Sequence, residues 1–147
     1  MGVFIGKVSK DIVKDEELLV LGTFDIKFAV AHSKAIFIGS GKIGVLAAEN
    51  CYVFTRRGPV IVQSIHCINV VAVGSRNPIV AGNLRCRNIY ARRLIAGRLE
   101  TGKAVLGEMS IVDDLVRAEK IVFMDPHMYF KKLGDVGELE FAYVVSE

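Results

Sequence analysis

The sequence predicts an all-β chain: a single-domain parallel β-helix, or solenoid, of about six to seven rungs of ~17 residues, with a capping segment at each end. Three observations carry this. An apolar triplet returns at a nearly constant interval. The composition is 52% apolar, with 3 prolines and no tryptophan in 147 residues, which suits one packed domain rich in strand-forming side chains. The i, i+3, i+4 stripe of an amphipathic helix fails in most windows.

The triplets are Leu19-Val20-Leu21, Ile36-Phe37-Ile38, Val53-Phe54-Thr55, Val71-Ala72-Val73, Ile89-Tyr90-Ala91, Ala104-Val105-Leu106 and Ile121-Val122-Phe123. Their first residues step by 17, 17, 18, 18, 15 and 17. Gly22, Gly39, Gly74 and Gly107 directly follow four of them. A period that drifts and corrects itself is what stacked coils produce, because each coil returns the chain to the same edge. Seventeen extended residues make a circuit of roughly 56 Å, a small triangle with sides of about five or six residues. Strand alternation turns the first and third residue of each triplet inward, so Leu19 and Leu21 are expected to stack under Ile36 and Ile38. A second side draws on Ile26, Ile43, Val60, Ile79 and Ile111, and a third on Val30, Ala48, Ile65, Leu84, Leu99 and Val116.

The period divides the chain into an amino-terminal arm (1–17), the β-helix (18–124) and a carboxy-terminal cap or tail (125–147). The arm opens on an apolar patch, Val3, Phe4 and Ile5, which is a candidate membrane contact. The tail breaks the period at Asp125-Pro126, Gly134 and Gly137, then ends in an apolar run from Leu139 to Val145. A solenoid exposes a core layer and an unpaired backbone edge at each end. Leu19 and Leu21 at one end, and Ile121 and Phe123 at the other, are the expected self-assembly ends.

Charge is unevenly distributed. Residues 50–99 contain eight arginines, no lysine and no acid, whereas the rest of the chain has 11 basic and 16 acidic residues. Arg56-Arg57 and Arg92-Arg93 fall at like rung positions with Arg76 between them, and the five predict one basic corner. Such a corner suits an anionic membrane surface or an acidic protein, or simply keeps the outer face soluble. Nucleic acid ranks lowest as a partner, because no aromatics are interleaved for base stacking.

Cys51, Cys67 and Cys86 fall on successive rungs without metal-ligand spacing, and free buried thiols are expected. His32, Glu49 and His66, spaced by 17 and 17, are expected to align, but with no nucleophile or third ligand they define no site. No dinucleotide fingerprint, phosphate loop, zinc-helix motif or nucleophile elbow is present, so no cofactor, metal or catalytic residue is assigned. No apolar run reaches the ~18 residues of a membrane span, and no signal peptide is visible; a cytoplasmic location, with or without membrane association, is expected.

The rung starts, with turns such as Ala81-Gly82-Asn83-Leu84-Arg85, Ala91-Arg92-Arg93 and Ala104-Val105-Leu106-Gly107, resemble those of the bactofilins, polymer-forming cytoskeletal proteins. The similarity spans residues 70–123 by motif and 18–69 by period alone. It implies a non-enzymatic protein that stacks end to end into filaments without nucleotide, often at membranes, with itself as chief partner. Two alternatives belong to other classes. One is a trimeric hexapeptide-repeat acyltransferase, whose rungs of eighteen need an apolar residue every six positions. The other is a β-helical dimerisation or adaptor module.

Overall fold

The computed structural model describes residues 1–142 as one all-β solenoid. Its strands are β1 (Gly2–Val73), β2 (Ile79–Arg92), β3 (Leu94–Leu106), β4 (Ile111–Phe123) and β5 (Tyr129–Phe141). They form a single sheet in that order, and every pairing is parallel. β1 is wound rather than straight. Gly22 lies against Gly6, Gly39 against Gly22, and Asn69 donates to Asn50 at 2.9 Å, so residues 16, 17 and 19 apart are neighbours within it. Each of β2 to β5 adds one further coil. Among the described residues there is no helix.

Coil length varies while the ladder is kept. Val60 pairs with Ile79, Ile79 with Leu94, Ile95 with Ile111 and Ile111 with Tyr129, at spacings of 19, 15, 16 and 18. The extra residues are taken up at corners and, in one case, at a bulge within the β3–β4 ladder beside Leu99 and Glu100. Thr55 holds one of the two longest corners: its buried hydroxyl accepts from the Ser75 amide at 2.8 Å and donates to the Asn77 carbonyl at 2.7 Å. A strict sixfold repeat cannot accommodate these spacings. Corners also explain the glycines. Gly39 has φ +144°, and a side chain there would strike the carbonyl oxygen of Gly22 in the coil below. Arg57, Arg93 and Met109 take the same left-handed region (φ 66°, 53° and 53°) at corners without being glycine.

The core runs the length of the solenoid, and its phase corrects the sequence reading. On the first side the buried residues are Leu18, Ala35, Val53, Val70, Ile89, Ala104 and Ile121. Val20, Phe37, Thr55, Ala72, Ala91 and Leu106 are buried two residues on. Leu19, Leu21, Ile36, Ile38, Val71 and Val73 therefore face outward and are half-buried. Alternation carried no signal there, because both faces of this side are apolar. On the second side Leu94 and Val112 are buried where Ile111 was expected; on the third Leu46 and Leu115 are buried, and Val30, Ala48 and Val116 are only half-buried. Phe24 meets Phe37 edge-on inside, with centroids 5.3 Å apart.

The terminal segments are also corrected. Residues 2–17 are not a separate arm: β1 begins at Gly2, and Val8 and Val13 are buried in the common core. β5 is not a cap but a further coil, in register with β4 from Ile111↔Tyr129 to Phe123↔Phe141. Asp125-Pro126 is the corner between them, where Asp125 accepts from the His127 amide at 2.7 Å. Of the predicted apolar run 139–145, residues 143–145 lie outside the described residues.

Candidate functional site

The predicted assembly ends are moved by one coil. Leu19 and Leu21 lie above the first coil, Ile121 is fully buried, and Phe123 packs between Phe130 (5.7 Å, edge-on) and Phe141 (5.1 Å, stacked). The two ends of the described solenoid differ. At the first coil Phe4 packs against the core, and Lys10 Nζ lies 5.6 Å from the centre of its ring. Phe4 therefore closes the core rather than joining Val3 and Ile5 in a membrane contact. At the last coil the inward positions are Phe130, Leu133, Val136 and Leu139, directly over Val112, Leu115, Ala118 and Ile121. Leu133 remains 53% exposed and Leu139 46%, whereas Leu115 and Ile121 below them are fully buried. Among the described residues no further coil lies over this layer, and β5 ends the order of the sheet.

The arginines border the first side. Arg56 and Arg57 end it in one coil, Arg76 lies in the turn 74–78 above, and Arg92 and Arg93 close the next. The Gly74 amide donates to the Arg92 carbonyl at 2.8 Å, which holds these turns together. Among the described residues Arg92 is the one member of this group in an ion pair, with Glu108 at 3.2 Å. The opposite border carries an asparagine ladder, Asn50, Asn69 and Asn88, with amide bonds of 2.9 and 3.0 Å. Lys103 and Lys120 continue it in register.

Between these borders lies the outer face of the first side. Val71, Tyr90, Val105 and Val122 form one column by strand register. A second column runs Val3, Leu19, Ile36, Phe54 and Val73, its lower part set by the glycine stacking of Gly6, Gly22 and Gly39. Ile5, Leu21 and Ile38 stand beside it. Val3, Ile5 and Tyr90 are exposed (50, 72 and 39%). The sequence contains the signal for this face, since triplets apolar at all three positions mean a side that is apolar on both faces.

The histidine ladder does not form. His32 and Glu49 line one groove, but the coil from Asn50 to Asn69 is two residues longer than the 17 assumed. His66 instead pairs in register with Arg85 and lines a separate open groove of about 660 Å³ with Arg87, Glu100 and Arg117. Among the described residues no three His, Cys, Asp or Glu are grouped to hold a metal.

The cysteine expectation is overturned for two of three. Cys51 and Cys67 form a disulfide with a Cα–Cα distance of 6.4 Å. In this longer coil they flank one corner from either side and both face inward. Cys86 is free and half-buried, and its Sγ lies 3.3 Å from Thr101 Oγ1. Burial pushes its pKa up to about 11, against a smaller lowering by the Thr101 hydrogen bond. Among the described residues no helix is long and apolar enough to cross a membrane. Comparison with family models, curated proteins and solved structures finds no match for this chain.

Proposed function

We propose that this chain is a non-enzymatic, self-associating scaffold protein whose solenoids join end to end, beginning at β5. The observation that carries this reading is the apolar layer of Leu133, Val136 and Leu139, beside a strand edge, that no coil covers among the described residues. Such an edge presents a row of backbone donors and acceptors to a further strand. The residues of β5 suit a two-fold contact with a second β5. If the strands run antiparallel with Val136 on the axis, Leu133 meets Leu139 and Lys132 meets Glu140. The contact closes a dimer. Growth into filaments needs a second contact through the first coil, where Lys7, Lys10, Asp11 and Lys14 offer both signs of charge.

A cytoplasmic location and a cytoskeletal role belong to the same proposal. Negative-stain electron microscopy of the purified chain tests it. Filaments or end-joined pairs are the expected image. A uniform field of single solenoids at high protein concentration would overturn the reading.

A further inference from the structure

We propose that the outer face of the first side is a docking surface for an anionic lipid bilayer, which the solenoid meets side-on. The face has what such a contact needs. It is a flat sheet surface about 34 Å tall, from seven ladder steps of ~4.8 Å. It is apolar from Val3 and Ile5 in the first coil to Val105 in β3 except at Glu17 and Lys34, which flank the inward Leu18 and Ala35 and so share this face with Leu19 and Ile36. The side of a sheet that faces water normally alternates to polar residues, whereas most outward positions of this one are apolar.

The borders decide the occupant. One edge carries Arg56, Arg57, Arg76 and Arg93 without an ionic partner among the described residues, and the other carries Lys103 and Lys120. The acids on or beside the face are Glu16, Glu17, Glu108, Asp125, Glu138 and Glu140; Glu108 and Glu140 are paired with Arg92 (3.2 Å) and Lys120 (3.3 Å), Glu138 lies in register with Lys120, and Asp125 lies near Arg92. A second copy laid face to face with its axis reversed would bring the arginine edge onto the arginine edge, which costs free energy. A planar surface with anionic headgroups around an apolar interior complements both parts. The backbone of the face is hydrogen-bonded in its ladders, so it enters the interfacial region without orphaned amides. Tyr90 adds a side chain suited to the headgroup level.

The test is flotation of the full chain with vesicles of phosphatidylcholine alone and with added phosphatidylglycerol. Flotation only with the anionic vesicles, weakened by salt, is expected. Tyr90→Glu and the pair Arg56→Glu/Arg76→Glu should each weaken it by about tenfold or more, with the β-rich circular dichroism unchanged. No flotation with anionic vesicles, or undiminished flotation of Tyr90→Glu, would overturn the proposal. So would an oligomer that Tyr90→Glu breaks without vesicles, because a second copy would then cover the face. Should Tyr90→Glu fail to fold, Tyr90→Trp decides, since the chain has no other tryptophan. Its emission shifts to the blue on anionic vesicles if the face docks, and stays unchanged if it does not. The Leu133→Lys variant, blocked at the end contact, should still float, which separates this surface from the assembly end.

Discussion

Leu133 pairs in register with Leu115 across the last ladder, yet Leu115 is completely buried and Leu133 is more than half exposed. Two leucines on one stack thus make opposite contributions. Leu115→Ala should destabilise the fold by about 3 kcal/mol, as cavity-forming core substitutions do, read as a lower denaturant midpoint. Leu133→Lys should leave that midpoint nearly unchanged and abolish end-to-end association in sedimentation velocity. Association that survives Leu133→Lys would place the contact elsewhere.

Reduction of the Cys51–Cys67 bridge tests a different element. It closes a loop 16 residues apart in sequence, and removing such a closure costs about 3 kcal/mol in the chain-entropy account. Thermal unfolding with and without reductant should differ accordingly, and Cys51→Ser/Cys67→Ser should match the reduced chain. Equal melting temperatures would show that the bridge adds nothing to stability.

Cys86 should make stability fall at high pH. Its thiol titrates near 9.0 when exposed and about 11 when folded, so the folded state holds the proton more tightly. The resulting stability is fully present below pH 9 and is lost as pH rises through 11, by up to about 3 kcal/mol. Denaturant titrations of the wild type and Cys86→Ala across this window measure the difference. At neutral pH the folded chain should react slowly with iodoacetamide at Cys86 and quickly once unfolded.

Backbone geometry gives a pair of opposite substitutions. Gly39→Ala should destabilise by more than about 2 kcal/mol, since the new methyl meets the Gly22 carbonyl at a φ that L-residues avoid. Arg93→Gly, at φ 53°, should stabilise slightly or be neutral, within about 1 kcal/mol. Loss of stability in Arg93→Gly would mean that the side chain contributes more than its backbone strain costs.

The period was legible in the residues because every coil repeats the same inward stack, and Val53, Ile89, Ala104 and Ile121 stand where alternation placed them. The inward phase at Leu19, Ile36 and Val71 was not legible, since a side apolar on both faces gives alternation nothing to distinguish. The disulfide and the broken histidine ladder have a common cause. A coil of 19 residues rather than 17 moves Cys67 and His66 to new places around the circuit, and only the strand register shows which coil carries the extra two. β5 was hidden by charge. Lys131, Lys132, Asp135 and Glu138 made an outward face that read as a tail, while the inward Phe130, Leu133, Val136 and Leu139 kept the repeat.

The corner held by Thr55 has a consequence for how such a chain can change over evolutionary time or in the laboratory. Because residues 74–78 leave the sheet and return to it without shifting the ladder on either side, the coil behaves as a fixed cross-section with an adjustable perimeter. Foreign sequence grafted at this turn should be carried as a surface ornament, outside the stack. Whole coils can in turn be added or deleted between two like corners, so the length of the rod and the decoration of its flank are free to vary independently.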